Sequence, residues 1–266
     1  MKSRPDYGVL LISIDVEAES STLHNEVIAA ADTAAVLDAT KWLVNVLEQC
    51  RLPATWFLAG PGASVLRSHI VNAHLRHEIG LLVADGSQGQ PDRLDFSRNL
   101  DRRILAARAA GIEISSVAAR GPKQIEHLDL LVKHGIRAVR QCDRRSDANS
   151  SRRSGWPSVS TLRFGITSLA ATLSAPNPAR WPFWATAWDM RRQIASAAER
   201  RQYCHLTLDI HTLAGAQARK RLQRTLRVAA RRFQKPGCRI ETMSSLAASL
   251  LARPLVRSAQ SILRAA

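Results

Sequence analysis

The stretch VLLISID, residues 9–15, is a nearly continuous apolar run that ends at an acid. A short run of this kind is typical of a strand buried on both faces of a parallel sheet, with Asp15 at its carboxyl end. The stretch LPATWFL, residues 52–58, is a second such run, and the turn Gly60-Pro61-Gly62 closes it. The two runs together predict a buried sheet with polar residues along one edge.

Outward from these runs, predicted strands and helices alternate along the whole chain. The alternation predicts a single α/β domain over residues 1–266, with a parallel sheet that is open or closed into a barrel. Residues 141–162 have the composition of a loop, and residues 163–188 show no clear period. The predicted strands cover 9–15, 52–58, 78–84, 117–119, 136–139, 205–211 and 239–242. The predicted helices cover 30–50, 65–76, 94–110, 125–134, 191–202, 217–235 and 244–252.

Composition narrows the class of protein. Apolar residues make up 45% and charged residues 23%, which is typical of a globular protein. The 4 cysteines are too scattered for a disulfide framework or a cysteine zinc site. No apolar stretch approaches the ~20 residues that span a bilayer, so no transmembrane segment is expected. The first apolar run is too short for a secretion signal, and we expect a cytoplasmic protein.

The net charge is +16, and arginine supplies most of it. One basic cluster, residues 137–153, is interspersed with polar residues and predicts a solvated loop. The other, residues 217–235, has apolar residues at helical spacing and predicts an amphipathic helix with a basic outer face. That face is either solvated or binds an anionic surface. No motif of a nucleic-acid-binding fold is present, so a specific nucleic-acid partner is not expected.

Reactive residue types end several of the predicted strands. Asp15, Asp85, Arg120 and His211 each stand at or just beyond a strand's carboxyl end. In parallel barrels the carboxyl ends of the strands form the edge that carries the active site. This edge is therefore the predicted functional site.

Five stretches of the chain resemble, in order, the motifs of polysaccharide deacetylases, the fourth family of carbohydrate esterases. They are SIDVE (residues 13–17), LPATWFLAG (52–60), RHEIG (76–80), ARGP (119–122) and LDIH (208–211). The resemblance covers roughly residues 7–250, followed by a helical tail at 251–266, and implies a distorted (β/α) barrel. It further implies that Asp15 is a catalytic base, that Arg120 holds its carboxylate, that His211 is the acid, and that Pro122 lines the substrate site.

The resemblance implies a divalent metal cofactor such as zinc, but the usual ligands of that metal are missing from this sequence. The resemblance places Val16, Leu82 and Gly86 where the family has one aspartate and two histidine ligands. Apolar side chains and glycine cannot ligate a divalent ion, so we predict that the usual metal site is missing. A carboxylate site built from Asp15, Glu17 and Asp85 is the alternative.

Trp181, Trp184 and Trp188 recur at helical spacing and form either a core stripe or a wall that stacks against a sugar. On the second interpretation, Trp184 and Trp188 contact the substrate. We therefore expect a hydrolase that removes an acetyl group from an N-acetylated sugar or a related amide. The alternative is a catalytically inactive protein of the same fold that binds a glycan or a protein partner.

Overall fold

The computed structural model describes residues 7–17, 26–59, 63–83, 92–119, 125, 127–140, 158–174 and 183–252. Within these ranges ten strands form one sheet, and seven helices accompany it. The strands are β1 (Gly8–Glu17), β2 (Thr55–Ala59), β3 (Glu78–Val83), β4 (Ser116–Ala119), β5 (Ala138–Arg140), β6 (Val159–Thr161), β7 (Thr167–Leu169), β8 (Leu173–Ser174), β9 (Tyr203–Asp209) and β10 (Cys238–Glu241). The helices are α1 (Glu26–Cys50), α2 (Ala63–Val71), α3 (Arg93–Ala109), α4 (Leu128–Lys133), α5 (Phe183–Glu199), α6 (Ala216–Phe233) and α7 (Met243–Leu251).

The strand order is β6-β7-β5-β4-β3-β2-β1-β9-β8, and β10 also pairs with β1. All pairs are parallel except β6 with β7. Strands β7 and β8 lie near opposite ends of this order, yet only residues 170–172 separate them along the chain. The Tyr203 hydroxyl of β9 donates to the Ala170 carbonyl at 3.1 Å, which ties this short connection to the far side of the sheet. The sheet therefore curls into a half-barrel.

The two faces of β1 belong to two different apolar clusters. Leu10, Ile12, Ile14 and Val16 pack with residues of the surrounding helices, whereas Val9 and Leu11 pack with side chains on the inside of the curl. Because side chains alternate along a strand, Ser13 and Asp15 share the inner face with Val9 and Leu11. This alternation decides which residues of the first motif can take part in a site inside the barrel.

The predicted fold class, an α/β distorted barrel, is confirmed. Among the described residues, no helix is long and apolar enough to cross a membrane. Strands β6, β7 and β8 fall where the sequence predicted a loop or no clear element; each has only two or three residues, too few to show a period. Strand β9 ends at Asp209, and a 3₁₀ turn over Ile210–Leu213 replaces the predicted end of that strand. Of the predicted tail, residues 253–266 lie outside the described residues.

Candidate functional site

Asp15 and His211 come from the carboxyl ends of neighbouring strands. Asp15 of β1 is paired in register with Asp209 of β9, and His211 follows Asp209 in the 3₁₀ turn. The Asp209 carboxylate accepts a hydrogen bond from the His211 backbone N–H at 3.0 Å, which begins that turn. The turn redirects the chain at the sheet edge, so His211 is exposed beside the end of β1.

A backbone contact fixes the orientation of the His211 ring. Its Nε2 lies 2.8 Å from the Glu17 carbonyl oxygen, which can only accept. Nε2 therefore carries a proton and donates it in this hydrogen bond. Among the described residues Nδ1 has no partner, so it is the ring atom available to a bound molecule.

The side chain that holds Asp15 is Arg140, at the end of β5. Its Nη2 donates to Asp15 Oδ2 at 2.7 Å, and its Nη1 donates to Ser13 Oγ at 3.0 Å. The guanidinium also lies over the Phe57 ring, 4.9 Å from the ring centre. Arg140 is only 3% exposed, so the prediction that it belongs to a solvated loop is wrong. Arg140 is the last residue of strand β5.

The same guanidinium also contacts the second oxygen of Asp15. Arg140 Nη1 lies 2.6 Å from Oδ1, at ion-pair distance, and also donates to Ser13 Oγ. Oδ1 is itself buried and accepts no aligned hydrogen bond among the described groups. Both oxygens of the carboxylate thus face one guanidinium, which holds the carboxylate in place and neutralises its charge.

A buried hydrogen-bonded chain continues from Ser13 into the barrel. Ser13 Oγ lies 2.9 Å from His205 Nε2, and His205 Nδ1 lies 3.0 Å from the Tyr203 hydroxyl. The Tyr203 hydroxyl donates to the Ala170 carbonyl, so it accepts from Nδ1–H. Ser13 Oγ accepts from Arg140 and therefore donates its own proton to Nε2. One arrangement of protons satisfies every member, and it requires a neutral His205.

Burial and charge keep His205 in that neutral form. The side chain is fully buried, and desolvation, assisted by the nearby Arg140 charge, lowers the pKa of His205 to about 3. A protonated imidazole would place a donor opposite the Ser13 hydroxyl proton and add a second positive charge beside the guanidinium. His205 is therefore a rigid acceptor that orients Ser13, which in turn orients Arg140.

Other predicted site residues are not brought together by the described structure. Arg120 and Pro122, like Asp85 and Gly86, lie outside the described residues, and so does the side chain of Trp184. Trp188 lies on α5 and is 59% exposed, with the Arg192 guanidinium 5.3 Å from its ring centre. The core alternative is therefore wrong for Trp188, whereas its predicted contact with substrate stays a prediction.

The residues at the family's metal positions do not fit a metal ion. Val16 is fully buried and packs with the helix-side cluster, facing away from Asp15. Leu82 is 1% exposed and packs in the apolar cluster inside the barrel. Within the described ranges, no three His, Cys, Asp or Glu side chains gather in a way that could hold an ion. The side chains at two of the three positions where the family has metal ligands are pure hydrocarbon and cannot coordinate an ion.

Arg140 is the site residue that sequence reasoning missed, although a signal for it was present. It follows the predicted strand 136–139 directly, as Asp15 follows its own strand. The same strand-end rule that selected Asp15 and His211 would have selected it. The neighbouring run of arginines obscured this position by suggesting a solvated cluster.

Comparisons with known proteins agree with this architecture. No family model matches the chain, and no curated protein matches its sequence significantly. A protein assigned as a polysaccharide deacetylase from Mycobacterium smegmatis is 16% identical, with a TM-score of 0.64 and 94% of each chain covered. An allantoinase is 15% identical, with a TM-score of 0.64 over 94% of this chain and 92% of that one. A CE4 family pseudoenzyme from Bacillus anthracis is 9% identical, with a TM-score of 0.52 over 92% of this chain and 66% of that one.

At these identities the likeness establishes the fold. The chain has the distorted barrel of the polysaccharide deacetylases, and the predicted resemblance is confirmed at that level. The neighbours include named enzymes and a named pseudoenzyme, so activity has to be argued from the residues of this chain.

Proposed function

We propose that this protein is a deacetylase-like hydrolase that cleaves the amide of an N-acetylated sugar or a related molecule. The observation that carries the proposal is the Asp15 carboxylate, held at 2.7 Å by the buried Arg140 at the edge from which His211 also projects. A fixed carboxylate and an oriented imidazole on adjacent strand ends are the two groups that general acid–base hydrolysis needs.

In the proposed reaction, Asp15 acts as the general base. The Asp15 carboxylate, whose side chain is 26% exposed, accepts a proton from a water molecule, and the water oxygen attacks the acetyl carbonyl carbon. Arg140 holds the base through a two-pronged contact and is a positioning residue.

His211 acts as the general acid in the second half of the reaction. Its protonated Nδ1 donates to the amide nitrogen as the C–N bond breaks, which releases acetate and a free amine. The Glu17 carbonyl holds Nε2–H, so the ring presents Nδ1 without rotating. Fixing the ring lowers the entropic cost of reaching a reactive geometry.

Acetate release from defined oligomers of N-acetylglucosamine tests this proposal. Asp15→Asn and His211→Gln should each lower the rate about 10²–10⁴-fold, the usual contribution of a general acid or base. The exposed residues Asp95 and His74 supply matched controls, and Asp95→Asn and His74→Gln should leave the rate unchanged. Unchanged release in both site variants would remove these residues from the mechanism.

A second candidate is a non-catalytic protein of this fold that binds a glycan. The observation in its favour is the pair of buried hydrocarbon side chains, Val16 and Leu82, at positions where the family's metal ligands are expected. Without a metal, the attacking water lacks the activation that a bound ion supplies. This candidate predicts that the oligomers bind and are recovered intact, with no acetate above the level of the Asp15→Asn variant.

A further inference from the structure

Helix α6 carries a straight row of exposed cations. We call Lys220, Arg224, Arg227 and Arg231 the α6 cation row; all four side chains are exposed. Their spacing follows the i, i+4, i+7, i+11 rule, which puts them on one stripe of the helix. At a rise of 1.5 Å per residue, the row is about 16 Å long.

In the part of the chain that the structure describes, the row has no ion-pair partner, whereas basic residues on its flanks do. Arg219 contacts Asp38 at 2.7 Å, and Arg232 contacts Glu199 at 2.9 Å. Among the described residues, no carboxylate lies within ion-pair distance of any member of the row. The helix sequence contains no acid at all. The available charges that could neutralise the surface are thus placed beside the row and not along it.

The arrangement opposes the stability of the helix. Like charges three or four residues apart repel each other along the row, and the macrodipole favours a cation only at Arg231, in the last turn. The helix is retained because its other face, including Leu222, Leu226 and Phe233, is buried in the core. A row of this kind therefore maintains a line of positive potential that the fold itself does not need.

The row begins beside the candidate site. Helix α6 follows the 3₁₀ turn that contains His211, and Arg219 Nε donates to the Leu213 carbonyl of that turn at 2.8 Å. An open depression of about 410 Å³ lies at this end of the helix, and the described residues that line it, including Lys220 and Arg224, all belong to α6. From there the row runs along the outside of the barrel toward the start of β10.

We propose that the α6 cation row binds an acidic polysaccharide, that is, a single flexible chain with carboxylate or sulfate groups along its length. That such a chain is also the substrate class rests on the proposed function, because α6 begins against the 3₁₀ turn that contains His211. A bound chain would place its anions along the row and present one sugar unit to the strand ends.

The surroundings of α6 favour this occupant over other polyanions. Helix α6 packs between α1 and α5, so it cannot enter a major groove about 12 Å wide as a recognition helix does. Its apolar face lies in the core, so it cannot insert into a membrane surface as an amphipathic anchor does. A thin, flexible chain is the polyanion that a stripe one side chain wide can contact along its whole length.

Binding is tested on the full chain carrying Asp15→Asn, so that no probe is cleaved. The labelled probes are a heparin oligosaccharide, an oligogalacturonate, a neutral N-acetylglucosamine oligomer, a 20-base-pair DNA duplex and phosphatidylserine vesicles. We expect both acidic oligosaccharides to bind, with log K falling against log salt at a slope of about −3, as neutralisation of four charges implies. The neutral oligomer should show no such salt dependence.

The variant K220Q/R224Q/R227Q/R231Q should weaken binding of both acidic oligosaccharides at least tenfold. Glutamine has nearly the helix propensity of lysine and arginine, and circular dichroism verifies that α6 is retained. The control R98Q/R102Q/R108Q removes three exposed arginines of α3 and should change binding less than twofold.

Equal losses in the two variants, or tighter row-dependent binding of DNA or vesicles than of either oligosaccharide, would overturn this inference. Its failure is separable from that of the proposed function. If the row binds acidic oligosaccharides but the wild-type chain releases no acetate from any acetylated acidic glycan, the binding surface is supported and the proposed hydrolase activity is rejected. If acetate is released but binding does not depend on the row, the hydrolase activity is supported and the binding surface is rejected.

Discussion

Replacing Arg140 with methionine should destabilise the protein more than any exposed arginine substitution. Methionine fills a similar volume but removes the donors to Asp15 Oδ2 and Ser13 Oγ. The half-buried Asp15 carboxylate then has no ion-pair partner among the described residues. In the same part of the chain, Ser13 Oγ keeps its contact with His205.

The expected magnitude follows from the burial of the two partners. The Arg140 side chain is 4% exposed and that of Asp15 is 26% exposed. Breaking a buried ion pair by removing one partner lowers the free energy of unfolding by about 3–5 kcal/mol. Because the Asp15 side chain is partly exposed to solvent, we expect a loss of about 3 kcal/mol here. For a chain of this size, such a loss lowers the melting temperature by about 6–12 °C.

Urea unfolding followed by circular dichroism measures this loss, in a double-mutant cycle with Asp15→Asn. Since the amide carries no charge, Arg140→Met should cost at least about 1 kcal/mol less in the Asp15→Asn background than in the wild type. The exposed Arg98 supplies the control, and Arg98→Met should stay within about 0.5 kcal/mol of the wild type. Additive effects of the two site substitutions would refute the interpretation that Arg140 compensates the Asp15 charge.

The free energy of unfolding should decrease as the pH drops from about 6.5. In the folded state, burial lowers the pKa of His205 to about 3 and that of His77 to about 4. Over this pH range only the unfolded state therefore gains protons at these two residues. Unfolding free energies between pH 7 and 5 should therefore decline, and His205→Asn should remove up to about 1.4 kcal/mol per pH unit of that slope; an unchanged slope would contradict a neutral His205. Gly80→Ala should lower the melting temperature, because a Cβ at this position would lie 2.6 Å from the Phe57 ring. A melting temperature equal to that of the wild type would mean that the ring moves freely to make room. Trp188→Ala should weaken binding of N-acetylglucosamine oligomers severalfold if the ring stacks against the sugar. The melting temperature should not change, because the ring is 59% exposed. Unchanged affinity in titration calorimetry would show that Trp188 does not contact the substrate.

Local pattern carried most of the fold. The apolar runs at residues 9–15 and 52–58 predicted buried parallel strands, and both lie in the centre of the sheet as β1 and β2. Strand-end placement selected Asp15 and His211, because a strand that stops at a polar residue reveals its carboxyl edge without any knowledge of its neighbours. The absence of the family's ligands at Val16 and Leu82 was also evident from residue identity.

Only the tertiary structure decided which cation holds Asp15. Arg140 is 125 residues away along the chain, and its strand β5 lies four places from β1 in the sheet order. In a flat sheet that separation would be about 19 Å, since neighbouring strands lie about 4.8 Å apart. Curling of the sheet brings the two side chains together across the barrel interior. The curvature of the sheet is the sum of small twists over many strand pairs, so no local stretch of sequence determines it. The burial of a single strand, by contrast, can be predicted from the apolar residues of that strand.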